Sequence, residues 1–562
     1  MTSWVLYALT IALAIGAYRK RKTGLVVWLA ILSAAFFFTG KTAFLVIGFI
    51  STALLLGQPL FVLMGGLGAA LLATVSGFTS LEEQVLVVRQ LLGLAGKEVL
   101  LAIPFFVVAG ELMTQGSLAR RLIEFMKAAF GWIPGGLAVS AVAGCVFFAA
   151  ISGSSPVTVV AIGSIMVPAL VKAKYPEDFS IGLLTTAGSL GILIPPSIPM
   201  IVYSIMVSSA TPVDPTDLFI AGVVPGLFIG ALLAIYSVTQ GVRFKIPREP
   251  FSWARLWDAT RHGVWSLLLP VIILGGIYSG IFTATEASAV SVVYALGVEW
   301  FIHREMDKKK LLSVAEGSMT VMGSLLVIIA LAIVLNYFLV DQQVPDLMVE
   351  WMKTLQLTPT TFLIVVNILL LGVGMFMDIM SAILIIAPML APMAAAMGIN
   401  PIHMGIIFIV NLEIGYLTPP VGLNLFVSSS LFKKGLGFVI RSVVPTVVIM
   451  LGSLMVITWV PSMSTGLVDA LKKKPVPVQT VTPKPEDPPS SPSDGGVKSL
   501  ADMMREAKLK QDAGPPPEVK VKSLEEMMRE AKEKRAAQQP APESAEDAGT
   551  EADAGAAADA GT

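Results

Sequence analysis

The same pattern of interruptions occurs twice in this chain. The first copy reads Gly153-Ser154-Ser155, followed by Gly191-Ile192-Leu193-Ile194-Pro195-Pro196. The second reads Met377-Asp378-Ile379, followed by Gly415-Tyr416-Leu417-Thr418-Pro419-Pro420. Asp378 lies 224 residues after Ser154, and the same shift relates Gly191 to Gly415 and each proline pair to the other. An internal duplication is the simplest explanation, so we expect two related halves.

The interruptions lie within long apolar segments. Hydrophobic residues make up 55% of the chain and the mean hydropathy is +0.78, which is more apolar sequence than a soluble core can bury. The composition therefore predicts a polytopic membrane protein. Glycine, proline and small hydroxyl residues that break membrane segments at matching places in two halves are typical of a transporter binding site.

The chain outside the duplication divides into further segments. An apolar run over Val5–Ala17 ends in the basic cluster Arg19–Lys22 and has no cleavage-site pattern, which predicts a retained helical hairpin over 4–39 with the cluster in the cytoplasm. From Lys472 onward the composition predicts disorder. A short motif over 497–508 recurs over 521–532, either as two helices that form on binding or as a duplicated linker. The side of the membrane that holds this tail stays open.

Each copy begins with an amphipathic segment, over 115–130 and 344–357, typical of an arm helix on the membrane surface. Two apolar half-runs follow each arm, 132–152 with 155–171 and 360–376 with 379–397. Each pair could be two full spans, but the polar tips favour re-entrant hairpins, because such tips suit a cavity lining better than an interfacial turn.

The number of crossings between the arms indicates how the copies are related. We expect five spans there, near 180–209, 218–241, 264–284, 286–302 and 318–340. An odd number places the arms on opposite faces, so the copies are inverted relative to each other. The predicted fold is an all-α polytopic, inverted-repeat, elevator-type transporter with two re-entrant hairpins, broken helices and amphipathic arm helices.

The expected divisions follow from these segments: an added transmembrane hairpin over 1–40, scaffold helices over 41–114, the first repeat over 115–241, connecting helices over 242–317, the second repeat over 318–467, and the tail over 468–562.

The broken helices suggest ion sites. Backbone groups freed at a break need a ligand or a polar cavity, since leaving them unpaired in hydrocarbon costs several kcal/mol each. Hydroxyl and carbonyl oxygens at these breaks suit sodium. The predicted sodium-binding residues are Gly153, Ser154, Ser155 and Gly191 in the first half, and Asp378, Gly415 and Thr418 in the second.

The same breaks suggest an anionic substrate. Half-helices that start after each tip and each proline pair direct positive dipole ends at one volume. Lysine and arginine are absent from 175–240, and Lys353 is the only one within 311–432, so helix ends and bound cations would balance the charge. The predicted substrate-binding residues are Ser152, Ser154, Ser197, Asp378 and Asn424.

Structural roles compete with these assignments. Glycine and serine in membrane helices often serve close packing, whereas Asp378 in an apolar run costs roughly 2.5–3.5 kcal/mol on insertion scales and therefore indicates function. Glu111, Glu286 and Glu413 are equally well explained as structural partners.

Enzyme chemistry is not supported by the sequence. Thr39-Gly40-Lys41-Thr42 lacks the first glycine of a phosphate-binding loop, and the chain has no paired-histidine or nucleophile-elbow motif. The single cysteine, Cys145, excludes an intrachain disulfide. The balanced charge gives no nucleic-acid patch. We therefore expect a non-enzymatic protein driven by an ion gradient.

Several ordered motifs resemble the large membrane subunit of TRAP transporters over about residues 43–465. They are Ser152–Ser155, Gly191–Ser197, Leu218–Gly226 and Leu417–Gly422. The resemblance implies a sodium-coupled elevator-type importer of organic acids in the bacterial inner membrane. It also implies co-transported sodium ions, a small membrane subunit and a periplasmic substrate-binding protein. A stand-alone sodium and dicarboxylate symporter, or a membrane scaffold that recruits partners through its tail, are the alternatives.

Overall fold

The computed structural model describes residues 96–208, 211–248 and 250–471, with short helical pieces at 65–69, 71–72, 85, 89 and 92–93. The predicted hairpin over 4–39 and the repeated tail motif lie outside these residues. The helices of the described part are α1 Ala102–Gln115, α2 Leu118–Phe130, α3 Gly136–Ser152, α4 Ser155–Lys172, α5 Glu177–Ser189, α6 Ile198–Val207, α7 Pro215–Arg243, α8 Trp253–Tyr278, α9 Ala284–Gly297, α10 Lys308–Asp341, α11 Val344–Thr354, α12 Pro359–Phe376, α13 Ile379–Ala396, α14 Pro401–Gly415, α15 Leu423–Phe432, α16 Leu436–Trp459 and α17 Ser462–Leu471.

The predicted all-α inverted-repeat fold is confirmed. Each half has an arm helix (α2 or α11), a helical hairpin (α3–α4 or α12–α13) and a broken helix (α5–α6 or α14–α15). Apart from the hairpin α3–α4, five helical segments lie between the arms when α5–α6 is counted as one, as predicted. Eight helices in the described part are long and apolar enough to cross a membrane, and one or both arms of each hairpin are among them. Length alone therefore does not distinguish a hairpin arm from a full span.

The positions of the tips identify the hairpins as re-entrant. The turn at Gly153 between α3 and α4 faces Ser318, Val321 and Ser324 across a shared cavity, and these residues are near the middle of the long helix α10. Ile379, at the start of α13, reaches the same region. Both hairpins therefore reach the middle of a 34-residue helix rather than either of its ends, as expected of re-entrant hairpins.

The arm helices begin and end near the predicted positions. On α2, the face that includes Leu118, Leu122 and Met126 is buried, while Arg120 and Glu124 are exposed. The second arm, α11, is shorter than predicted and ends at Thr354, and Met352 is its only fully buried residue. The first arm thus has a buried apolar face and an exposed charged face, whereas the exposed side of α11 also carries Leu347 and Trp351.

The core lies around the two broken helices. Every residue of α5 from Phe179 to Ser189 and every residue of α14 from His403 to Gly415 is buried. After each helix the chain passes through a proline pair with a cis peptide bond, Pro195-Pro196 or Pro419-Pro420. The half-helix α6 then begins after Ser197, and α15 begins after Gly422. The two copies therefore share the cis proline pair, whereas the residue before the half-helix is extended in the first copy and left-handed in the second.

Candidate functional site

A cavity of about 430 Å³ lies where the two hairpin tips converge. Its wall includes the first tip from Ser152 to Val157, together with Ile379, Met380 and Tyr416 of the second half. Helices α1 and α10 close the opposite side. Among the lining residues Glu111 is the only carboxylate, and there is no lysine or arginine. Hydroxyl groups and backbone therefore supply most of the polar surface.

The first tip is a compact group of oxygen atoms. Gly153 has a φ of 57°, which permits the turn between α3 and α4, and an added Cβ would lie 2.8 Å from the carbonyl oxygen of Pro196. The Thr158 hydroxyl donates to the Ser154 carbonyl oxygen at 2.9 Å and is 2.9 Å from the Ser152 hydroxyl. These contacts hold the Ser154 carbonyl and two side-chain oxygens close to one another.

The break between α5 and α6 approaches this tip directly. A Cβ added at Gly191 would lie 2.7 Å from the Ser154 carbonyl oxygen and 2.8 Å from the Thr158 hydroxyl. Only glycine permits so close an approach. The structure thus places Gly191 against one of the predicted residues of the tip, Ser154. Thr158, which sequence reasoning missed, links them, and its spacing of four residues from Ser154 along a helix was the available signal.

The second tip is built around Asp378. Its carboxylate accepts hydrogen bonds from the backbone N–H of Ser381 at 3.1 Å and from the Ser381 hydroxyl, so it forms the N-cap of α13. The backbone N–H of Ile379 donates to the Tyr416 hydroxyl at 3.1 Å. Asp378 itself is exposed and does not line the cavity, although Ile379 and Met380 do. Ser381 and Tyr416 are further residues that sequence reasoning missed.

Gly415 and Thr418 have different surroundings from their counterparts in the first half. A Cβ added at Gly415 would lie 2.5 Å from the Cα of Gly374 in α12, so Gly415 packs against the hairpin arm rather than against its tip. The Thr418 hydroxyl donates to the Ile414 carbonyl oxygen at 2.8 Å. Both residues lie between the Asp378 tip and the cis proline pair, but no direct contact joins Thr418 to Asp378 in the hydrogen bonds of the described part.

Ser197 and Asn424 are fully buried beside the cavity. The Ser197 hydroxyl donates to the Ile192 carbonyl oxygen at 2.5 Å, and Ile198 and Pro199 continue into the cavity wall. The Asn424 amide nitrogen donates to the Ser155 hydroxyl at 2.6 Å. The Asn424 amide oxygen is buried and has no hydrogen-bond partner among the residues that the structure describes. Asn424 thus joins the second half to the first tip, while its oxygen remains available to another donor.

Comparisons with known proteins agree with this architecture. The sequence profile of the DctM component of tripartite ATP-independent periplasmic transporters matches residues 42–463. The C4-dicarboxylate TRAP transporter large permease protein DctM of Pseudomonas aeruginosa is 48% identical, over 66% of this chain and 86% of its own length. The protein of the same name from Rhodobacter capsulatus is 39% identical, over 76% of this chain and 99% of its own length.

A solved structure shares the fold at low sequence identity. The Alcanivorax borkumensis YdaH transporter superposes with a TM-score of 0.55 at 15% identity, covering 73% of this chain and 98% of that one. The duplicated, all-helical chain brings two hairpin tips together at an oxygen-lined cavity. The family match covers most of the same sequence. The chain belongs to the DctM family of large permease subunits of tripartite ATP-independent periplasmic transporters.

Proposed function

We propose that this permease imports small organic acids across the bacterial inner membrane, driven by a sodium gradient. The observation that carries the proposal is the meeting of two duplicated tips at one cavity that lacks a cationic side chain among its lining residues. An anionic substrate there is balanced by helix N-termini and by co-transported cations. Coupling to sodium follows from this balance, because substrate and cation each lower the electrostatic cost of binding the other.

The first sodium site is assigned to the oxygens around the Ser154 carbonyl. Gly191 brings the backbone of the break within van der Waals contact of that carbonyl, and Ser152 and Thr158 add hydroxyl oxygens. A hard cation prefers such a set of carbonyl and hydroxyl ligands. Because the second half repeats the tip and the break of the first, we assign the second site to Asp378, Gly415 and Thr418. The Asp378 carboxylate is its charged ligand.

The substrate binds in the cavity between the tips. Ser152 and Ser154 lie in its wall, whereas Ser197 and Asn424 lie directly behind it. The two relatives described above carry the name C4-dicarboxylate permease, so a C4-dicarboxylate is the first candidate. Another carboxylate such as sialic acid is the next candidate.

The transport step is an elevator movement of the hairpins and broken helices. The first arm, α2, packs on α3, α4 and α8, so it connects the first hairpin to the helix that follows the first repeat. The long helix α10 lies beside α1 and α13 and faces both tips across the cavity. In this proposal α10 and α1 stay with the scaffold, and the cavity moves with the tips.

A small membrane subunit and a periplasmic substrate-binding protein complete the system, as the family's tripartite name indicates. The test is uptake of labelled organic acids into proteoliposomes that contain this chain and its small subunit. A sodium gradient and the binding protein are each added or omitted. Uptake that requires both supports the proposal, and uptake with sodium alone indicates a stand-alone symporter. Uptake unaffected by sodium, with the lipids and substrate unchanged, would contradict sodium coupling.

A further inference from the structure

Glu111 of α1 is the only carboxylate among the described residues that line the cavity, and it lies on the side formed by α1 and α10. The preceding residue, Gly110, packs on the first tip, since an added Cβ would lie 3.2 Å from the Cα of Ser152. On α10, a Cβ added at Gly317 would lie 3.4 Å from Glu111 Oε1. Glu111 therefore lies against α10 and beside the contact between α1 and the tip.

The two carboxyl oxygens of Glu111 have different surroundings. Oε1 accepts a hydrogen bond at 2.7 Å from the side-chain amide of Gln115, one turn further along α1. Oε2 accepts no hydrogen bond from the part of the chain that the structure describes, and it remains accessible. Because Glu111 lines the cavity, Oε2 is available to a molecule that binds there.

This free oxygen requires a hydrogen-bond donor or a cation, because a carboxylate oxygen only accepts hydrogen bonds. The described residues of the cavity wall include no lysine or arginine that could pair with it. Ser318 of α10 belongs to the same wall, is 2% exposed and has a hydroxyl without a partner in the described part of the chain. The side formed by α1 and α10 thus has polar groups that the protein itself leaves unpaired.

The opposite side of the cavity suits the carboxylates of a substrate. Helices α4, α6 and α13 begin at Ser155, Ile198 and Ile379, and all three residues line the cavity. Helix N-termini attract negative charge, whereas the Glu111 carboxylate repels it. An organic acid in the cavity is therefore oriented with its carboxylates toward these helix N-termini and its remaining atoms toward Glu111.

Binding of the acid displaces water from Oε2 of Glu111. A substrate that places only C–H groups there does not replace the lost hydrogen bond, and its affinity falls. A substrate hydroxyl replaces the water and donates to the carboxylate. Sites that form a hydrogen bond with a substrate hydroxyl discriminate strongly against the analogue that lacks it.

We propose that Glu111 is a specificity-determining residue of the permease that accepts a hydrogen bond from a hydroxyl group of the substrate. The permease then favours hydroxylated organic acids over their unsubstituted counterparts. The inference rests on the proposed function, because it needs an organic acid in the cavity between the tips. The competing arrangement is a sodium ion that bridges Glu111 and a substrate carboxylate, and the experiment separates the two.

The test exchanges the hydrogen-bond acceptor for a donor. In Glu111→Gln the amide oxygen can still accept from Gln115, so the amide N–H group takes the place of Oε2 at the cavity. We expect the ratio of the uptake efficiency for malate to that for succinate to fall at least about tenfold relative to wild type, the effect of losing one hydrogen bond to a charged group. Both acids are four-carbon dianions that differ by one hydroxyl, so removal of the Glu111 charge affects them equally.

Uptake is measured in proteoliposomes with the full-length chain, its small subunit, one binding protein and a sodium gradient. The preference of the binding protein is the same for every variant and cancels in the comparison. Glu316→Gln is the matched control, because it removes an exposed carboxylate of α10 that does not line the cavity, and it should keep the wild-type ratio. An unchanged ratio in Glu111→Gln, or an equal fall in Glu316→Gln, would overturn the proposal. Lower sodium affinity with an unchanged ratio would indicate the bridging sodium ion and would also overturn it.

A second measurement needs no binding protein. In the presence of sodium, malate should raise the melting temperature of the purified wild-type permease and its small subunit more than succinate does at the same concentration, and Glu111→Gln should reverse this order. A wild type that succinate stabilises as well as malate would overturn the proposal even if the variant does not fold. Failure of the wild type to take up any organic acid would contradict the proposed function. Uptake of both acids with the same ratio in wild type and Glu111→Gln would contradict only the role of Glu111.

Discussion

The hydroxyl of Ser189 donates a 2.9 Å hydrogen bond to the carboxyl of Glu413, its own equivalent in the duplicated sequence. Two serines at this position could also share a hydrogen bond, but their short side chains would fill less of the space between the helices. Two glutamates would also place two acids in one buried space. The two copies have diverged at this position, so that a short serine side chain lies opposite a longer glutamate side chain. One hydrogen bond joins the pair at the pseudo-two-fold axis that relates the halves.

This relationship has a consequence for coupling between the halves. Ser189 lies two residues before Gly191, and Glu413 lies two residues before Gly415. One buried hydrogen bond therefore links the residues that directly precede the two breaks. Thr185 and Ser428, whose hydroxyls are 2.7 Å apart, add a second link between α5 and α15. The two predicted ion sites share a common support at the axis.

Gly191→Ala should impair the first ion site. The new Cβ would lie 2.7 Å from the Ser154 carbonyl oxygen, a distance that forces either the break or the tip to move. We expect the sodium concentration for half-maximal uptake to rise by at least about tenfold, which corresponds to roughly 1.4 kcal/mol. Gly372→Ala is the matched control, because that helical glycine has no atom within 4 Å of the added Cβ. Equal sodium dependence in both variants would refute the assignment.

Asp378 combines a cap with a charge, and two substitutions separate these roles. Asparagine is a good N-cap residue, so Asp378→Asn should keep the start of α13 while removing the charge. Asp378→Ala should also lose the cap, at a cost of about 0.5–2 kcal/mol in stability. We expect both variants to lose sodium affinity in uptake assays, but only Asp378→Ala to show a lower melting temperature in detergent. If the sodium affinity of Asp378→Asn is unchanged, the carboxylate of Asp378 is not a sodium ligand and the residue only caps α13.

The hairpins, arms and breaks were predictable because each depends on local sequence. Apolar length, amphipathic spacing and the glycine and proline interruptions repeat at a fixed shift, so one copy supports the interpretation of the other. Contacts across the axis were not predictable in this way. The sequence left the role of Glu413 open between function and structure and did not single out Ser189, because their hydrogen bond depends on how the halves pack. Likewise, the hydrogen bonds of Thr158 and Ser381 depend on distances between atoms, which the sequence pattern does not give.

Asn424 and Ser155 should be energetically coupled. The Asn424 amide donates to the Ser155 hydroxyl at 2.6 Å, and both residues are fully buried. In a double-mutant cycle of Ser155→Ala and Asn424→Ala, we expect an interaction energy of roughly 0.5–3 kcal/mol, the range for residues in one hydrogen-bond network. The measurement is substrate affinity by uptake competition, together with the melting temperature. If the effects of the two substitutions simply add, both on substrate affinity and on melting temperature, the hydrogen bond between Asn424 and Ser155 contributes no interaction energy.

Glu299 should anchor the first arm more strongly than the ion pairs around it. Its carboxylate accepts two backbone N–H groups at the start of α2, and Gly116 leaves room for it, since an added Cβ there would lie 2.4 Å from Glu299 Cδ. Glu299→Ala removes a buried acceptor of charge-assisted hydrogen bonds, which are typically worth about 1.5–3 kcal/mol each. We expect a clear fall in melting temperature and a lower uptake rate, because the arm no longer holds a fixed position.

Glu305 provides the matched control for this anchor. It forms ion pairs with Arg120 at 3.0 Å and Arg121 at 3.2 Å, and it is partly exposed. Exposed ion pairs contribute at most about 1 kcal/mol, so Glu305→Gln should change the melting temperature much less than Glu299→Ala does. Each variant loses one carboxylate at the junction between α2 and the segment that joins α9 to α10, which isolates the effect of the backbone cap. If Glu299→Ala and Glu305→Gln lower the melting temperature equally, the ion pairs of Glu305 anchor the arm instead of the backbone cap by Glu299.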